Sequence, residues 1–173
     1  LDKLGIAENT VVIFTSDNGG HGRITSHHPL RGNKGNFYEG GIRVPLIVRW
    51  PGVVSPGRES NWPVISTDFF PTILEIAGLP ARPECHMDGV NIFPLLKQDC
   101  DLKRDSFYSH YPNYIGAGHP GGARPCSVIR KGDWKLIESL EDNPLYLFNL
   151  SEDLGENDDA AAKYPQKARE LHP

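Results

Sequence analysis

The first clear pattern is at residues 10–15 (Thr-Val-Val-Ile-Phe-Thr), which are apolar at consecutive rather than alternating positions. A continuous apolar run bounded by turn residues predicts a strand covered on both faces, as in the middle of a parallel sheet. It stops abruptly at Ser16-Asp17-Asn18-Gly19-Gly20. That puts a polar cluster just past a strand's C-terminal end, where open α/β sheets carry their ligand sites. A second run of the same kind, residues 45–50 (Pro-Leu-Ile-Val-Arg-Trp), ends at Pro51-Gly52. Between the two runs, residues 19–43 hold seven glycines and no period, so a long irregular loop is expected there, of the kind that commonly carries function.

Ser66-Thr67-Asp68 can cap a helix that runs through Phe69, Phe70, Ile73, Leu74, Ile76 and Ala77. Pro71 falls in its first turn, where proline is tolerated, and Gly78 closes it. A short helical pattern follows at residues 92–96. Three β-rich runs come later, at 127–130, 134–137 and 146–149. The turn Lys131-Gly132-Asp133 joins the first two into an antiparallel hairpin. Residues 160–172 show a weak helical pattern (Ala161, Tyr164, Ala168, Leu171) interrupted by Pro165. At the other end, residues 1–6 read as the last turns of a helix with Gly5 near its cap. A chain that starts inside an element reads as a piece of a longer protein.

The predicted fold class is α/β: the edge of a doubly wound sheet, followed by a small antiparallel C-terminal sheet with a helix. The expected organisation is a core segment at 1–80, a Pro- and Gly-rich variable connection at 81–126, and a C-terminal subdomain at 127–173.

Composition narrows the functional classes. The 173 residues are 38% hydrophobic and 23% charged, with a net charge of -4, which suits a globular domain. The 18 Lys and Arg are scattered without a basic stripe, so no nucleic-acid partner is expected. No stretch reaches the ~18 apolar residues of a membrane helix. Cys85, Cys100 and Cys126 have no metal-binding spacing. A Cys85–Cys100 bridge and free buried thiols both remain open. Met87 and Trp62 read as packing residues.

The chemistry-bearing residues flank the first loop. Asp17 and Asn18 offer a carboxylate and an amide carbonyl side by side, hard oxygen donors suited to calcium or magnesium. Lys34, in Leu30-Arg31-Gly32-Asn33-Lys34-Gly35, and its neighbour Arg31 could approach an oxyanion closely, lysine as a point charge and arginine as a fork. Taken singly, the first segment also reads as an ordinary Asp-Asn-Gly turn and the second as a solvated loop.

Together, Ser16-Asp17-Asn18-Gly19, Arg31-Gly-x-Lys34-Gly and Glu39-Gly-Gly-x-Arg43-x-Pro45 resemble the type I sulfatases of the alkaline phosphatase superfamily. Leu4-Gly5-x-x-x-Asn9-Thr10, Ser66-Thr67-Asp68-x-x-Pro71-Thr72 and Gly132-Asp133-Trp134-Lys135-Leu136 extend the likeness to that family's C-terminal half. The resemblance implies that Asp17 and Asn18 are the later pair of ligands to one calcium ion, shared with carboxylates from an N-terminal part. It implies that Lys34 holds a sulfate oxygen and stabilises charge in the transition state. Arg43 would brace the loop, and His21 and Arg31 would be active-site neighbours. Tyr108-Ser109-His110-Tyr111-Pro112-Asn113-Tyr114 lies in the stretch that shapes substrate choice in similar sulfatases, so His110 or His119 could meet a hydroxyl or sulfate; a packed connecting loop is the alternative.

Sulfatases of this type act through formylglycine, made from the first residue of Cys/Ser-x-Pro-x-Arg. No such motif occurs here. Ser55-Pro56-Gly57-Arg58 lacks the residue between Ser and Pro, and the three cysteines lie in other contexts. The expectation is therefore a sulfuric ester hydrolase segment whose formylglycine lies in a missing N-terminal half. Alone it should be inactive. A sulfated small molecule or glycan is the expected substrate class, and the resemblance implies a periplasmic, secreted or lysosomal setting. A phosphodiesterase or phosphonate hydrolase of the same superfamily, and a non-catalytic carbohydrate- or partner-binding module, remain alternatives. Asn149-Leu150-Ser151 matches a glycosylation sequon by pattern only.

Overall fold

The computed structural model describes residues 1–97, 100, 102–114 and 124–172. These form two compact units, each discontinuous in sequence. One comprises Leu1–Thr15 and Pro45–Arg104; the other comprises Ser16–Val44 and Asp105–Pro173. The three consecutive segments expected from the sequence therefore do not coincide with the compact units.

In the first unit, the apolar runs become β1 (Val12–Phe14) and β2 (Ile47–Arg49). They pair antiparallel, with Val12 opposite Arg49 and Phe14 opposite Ile47. The sequence predicts strands covered on both faces, but Val12, Phe14 and Ile47 are exposed. An apolar run shows that both faces can be buried, while what covers them is decided by residues elsewhere.

The core of this unit is Ile92, Leu95 and Leu102, with Leu46, Trp62, Val64 and Val90 against them. The predicted helix is α2 (Phe69–Ile76), preceded by a 3-10 turn at Ser66–Asp68. Asp68 is fully buried and does more than cap it. Its carboxylate accepts hydrogen bonds from the Ile65 and Val90 N–H groups, at 2.9 and 2.8 Å. The two terminal guanidinium nitrogens of Arg104, Nη1 and Nη2, donate to it at 2.7 Å. The Thr72 hydroxyl extends the lattice, donating to the Asp68 carbonyl and accepting from the Ile92 N–H. A short helix α3 (Phe93–Lys97) follows.

The second unit is built on a four-stranded antiparallel sheet: β3 (Ser106–Tyr111), β4 (Cys126–Lys131), β5 (Trp134–Ser139) and β6 (Leu145–Asn149), in that order. The hairpin between β4 and β5 has the two-residue loop Gly132–Asp133, with Gly132 at φ 57°. Such loops require positive φ, so glycine leads the turn. Alternation along the strands sends side chains to two faces. On one face Leu136 and Leu147 pack with Ala168 and Leu171 of helix α4 (Pro165–Leu171). Pro165 begins this helix rather than interrupting it, since proline's fixed φ and missing N–H suit the first helical position. On the other face Val128, Ile137, Phe148 and Leu150 pack around Tyr38 from the glycine-rich loop.

Strand β3 is absent from the sequence-based prediction, which assigned these residues to a variable connection. Serines, a histidine and exposed tyrosines blur its alternation, and cross-strand pairing with β4 defines it instead. All three cysteines are free. Burial pushes the Cys126 thiol up to about 11, so it packs as a small hydrophobe.

Candidate active site

The glycine-rich loop is held by a small set of backbone contacts. The Gly19 N–H donates to the Gly41 carbonyl at 2.8 Å, and the Lys34 N–H donates to the Gly20 carbonyl at 3.0 Å. The Gly40 N–H donates to the Arg31 carbonyl at 2.7 Å. A Cβ on Gly19 would overlap the Gly40 carbonyl oxygen, and one on Gly41 would overlap the Asn36 carbonyl. Glycine is therefore required for close backbone approach. These contacts bring the Asp17–Asn18 segment beside the loop that bears Lys34.

Asp17 and Lys34 are exposed and Asn18 is half-buried. Among the described residues, no hydrogen bond or ion pair occupies the Asp17 carboxylate or the Lys34 ammonium. Both are available to an external ligand. Among the same residues no three His, Cys, Asp or Glu side chains gather into a metal cluster.

The remaining expected residues are placed differently. The His21 ring accepts the Arg23 N–H at 3.3 Å, and its carbonyl takes the Thr25 hydroxyl at 2.8 Å, so it organises a local turn. The Arg31 guanidinium lies 4.0 Å over the Tyr38 ring and donates to the Glu156 carbonyl at 2.5 Å. These contacts brace the loop and engage one guanidinium nitrogen, Nη1. Arg43 lies 3.9 Å from Glu39, a bracing position. His110 pairs across the sheet with Ser127, and its ring lies 3.0 Å from the Ser127 hydroxyl. Strand parity puts both with Ile129 on the α4 face, whereas Phe107, Ser109 and Tyr111 share the Tyr38 face. Tyr111 meets Phe37 of the loop at 5.5 Å between ring centroids. So the structure does not bring His110 to the loop. His119 lies outside the described residues.

Sequence reasoning missed the charges beneath the loop. Helix α1 (Glu39–Ile42) is only four residues long. Glu39 is 1% exposed, and Lys135 and Glu156 are each 0% exposed. Lys135 donates to Glu39 Oε1 at 3.0 Å, and the Glu39 N–H donates to Glu156 Oε2 at 2.6 Å. The Lys135 ammonium also lies 2.8 Å from Glu156 Oε1, so it faces both carboxylates. Arg130 approaches Glu39 Oε2 at 3.7 Å. Burial pushes the Glu156 carboxyl above its ordinary value, against the opposing pull of Lys135. The one available signal was a lysine between Trp134 and Leu136 in a β-run, which parity places on the core face.

The family profile described as N-sulphoglucosamine sulphohydrolase, C-terminal, matches residues 32–171. This chain belongs to the sulfatase family. It is 42% identical to a sulfatase of Formosa agariphila, over 94% of this chain and 31% of that protein. It is also 33% identical to human arylsulfatase A, over 89% of this chain and 34% of that protein. The sulfatase chain thus spans about a third of the length of these relatives. Its fold is the C-terminal part of the alkaline phosphatase-like sulfatase fold. The crystal structure of Ps i-CgsB in complex with k-i-k-neocarrahexaose superposes with a TM-score of 0.81 at 29% identity, covering 99% of this chain and 36% of that one. That of BT4656 in complex with its substrate D-glucosamine-2-N,6-O-disulfate gives 0.77 at 27% identity, over 99% and 34%. No helix among the described residues is long and apolar enough to cross a membrane.

Proposed function

We propose that this chain supplies one side of a sulfuric ester hydrolase active site, with Asp17 and Asn18 as metal ligands and Lys34 as the sulfate-binding cation. The observation that supports this best is the pairing of two unoccupied charged groups, Asp17 and Lys34, on loop segments tied by the Lys34-to-Gly20 hydrogen bond. Hard oxygen donors suit calcium, which takes 6–8 oxygens, so this pair is part of a ligand shell completed by residues outside the chain. A bound calcium would supply positive charge toward a sulfate oxygen. Lys34, without a partner among the described residues, would hold a second sulfate oxygen and stabilise charge that develops as the ester bond breaks. The formylglycine nucleophile belongs to the part of the parent sulfatase that this chain lacks. The substrate class is a sulfated small molecule or glycan, in keeping with the sulfated sugar named as the BT4656 substrate.

The test uses a chromogenic aryl sulfate. The parent sulfatase should turn it over, lose most activity on calcium removal, and lose about a hundredfold in kcat with Lys34→Ala. The purified 173-residue chain should show no turnover. Full activity of the Lys34→Ala enzyme would sink the role given to Lys34, and turnover by the isolated chain would sink the shared-site reading.

A further inference from the structure

Lys34 and the Asp17–Asn18 segment converge on one short element. Helix α1 receives Gly19 through the Gly41 carbonyl and gives the Gly40 N–H to the Arg31 carbonyl, so it joins both branches of the loop. Four residues cannot hold a helix by themselves, because nucleation costs more than one turn returns. What fixes α1 is the buried charge cluster on the sheet. Glu39 reaches Lys135 on β5 with its carboxylate and Glu156 with its backbone N–H.

Glu156 carries a second mark. It has φ 52° and is not a glycine. A left-handed conformation at a buried glutamate persists only where its surroundings over-determine it. Here its carboxylate receives Glu39, its carbonyl receives Arg31, and Lys135 faces it. All three partners belong to the loop or its support.

We propose that Glu39, with Lys135 and Glu156, is a positioning unit for Lys34: it sets the place of α1 on the sheet and through it the approach of Lys34 to the Asp17–Asn18 segment. The effect on turnover rests on the reading of Lys34 given above, while the geometry does not. Glu39→Gln keeps side-chain size and the backbone bond to Glu156 but removes the charge that Lys135 neutralises.

The first measurement is amide hydrogen exchange on the 173-residue chain. In Glu39→Gln the Gly19, Lys34 and Gly40 amides should exchange about tenfold faster or more, with Val128 and Ile137 in the sheet unchanged. Uniform acceleration, or none, overturns the proposal. If Glu39→Gln does not fold, Glu39→Gln/Lys135→Met removes the pair together and is read the same way. Failure of both variants to fold shows a general structural role and also overturns it. The second measurement is a double-mutant cycle in the parent sulfatase. Glu39→Gln should lower kcat about tenfold with Lys34 present and less than about twofold in the Lys34→Ala background. Equal losses in both backgrounds contradict action through Lys34. If Lys34→Ala alone costs nothing, the sulfate-binding reading fails and exchange still decides the positioning.

Discussion

Each unit buries acidic side chains completely, and the two arrangements differ in closure. Around Asp68, one carboxylate meets four donors, two on each oxygen, and Arg104 balances its charge. Around Lys135, two carboxylates share one ammonium, and Glu39 Oε2 has only arginines at 3.7 and 3.9 Å with no hydrogen bond. The first set is saturated and holds a turn and a strand-like segment together. The second keeps an unmet acceptor and a buried carboxyl raised by desolvation, directly under the loop that carries Lys34. Saturation is what a structural hub needs. The more open cluster tolerates its electrostatic cost at the place where the loop must be held in one arrangement.

The largest loss of stability is expected at the saturated Asp68 site. Asp68→Ala removes the buried carboxylate on which Arg104 and the Ile65 and Val90 N–H groups converge, with an expected loss of about 3–5 kcal/mol in urea unfolding. A loss below about 1 kcal/mol would show that the hub is replaceable by water. Lys135→Met should cost about 3 kcal/mol at pH 7, since Glu156 then loses its ammonium partner and Glu39 keeps only the arginines at 3.7 and 3.9 Å. Because a proton can take the place of the ammonium, that loss should shrink on acidification. A pH-independent loss would contradict the shared-cation description.

Glu156→Gln sharpens the contrast further. The folded-state carboxyl is raised above its ordinary value of 4.5, chiefly by burial. The folded protein therefore binds this proton more tightly than the unfolded chain. Its contribution is fully present below about 4.5 and is lost as pH rises through the folded value. Compared with Glu156→Gln, the wild-type protein should lose stability over that window. Parallel stability curves for the two proteins would refute it. The smallest effect is expected for Lys34→Ala, whose exposed side chain has no partner among the described residues. Its denaturation midpoint should not move, although turnover by the parent enzyme collapses.

Much of this was legible in the sequence because it is local. The irregular glycine-rich loop, α2 and the β4–β5 hairpin follow from turn residues, caps and apolar periodicity, whereas Asp17, Asn18 and Lys34 are singled out only by their resemblance to sulfatase motifs. What escaped depends on distant partners. The apolar runs of β1 and β2 gave no sign of antiparallel pairing or of exposed faces. Strand β3 has a polar edge pattern that only β4 makes into a strand, and without it the parity that turns His110 away from the loop could not be seen. Glu39 and Glu156 look like ordinary acidic residues until a lysine 96 residues from Glu39 is placed against both.

The wide separation of those partners bears on how the protein is made. Loop closure over such distances is entropically costly and slow. During synthesis the chain emits the glycine-rich loop long before Lys135 and Glu156 exist to receive it. Until then α1 has no support, and Tyr38 and the loop backbone stay open to solvent, chaperone or protease. The first unit can reach Arg104 and complete its hub while the loop is still waiting. Seating of the Lys34 loop on the sheet is therefore a late event, gated by translation past residue 156.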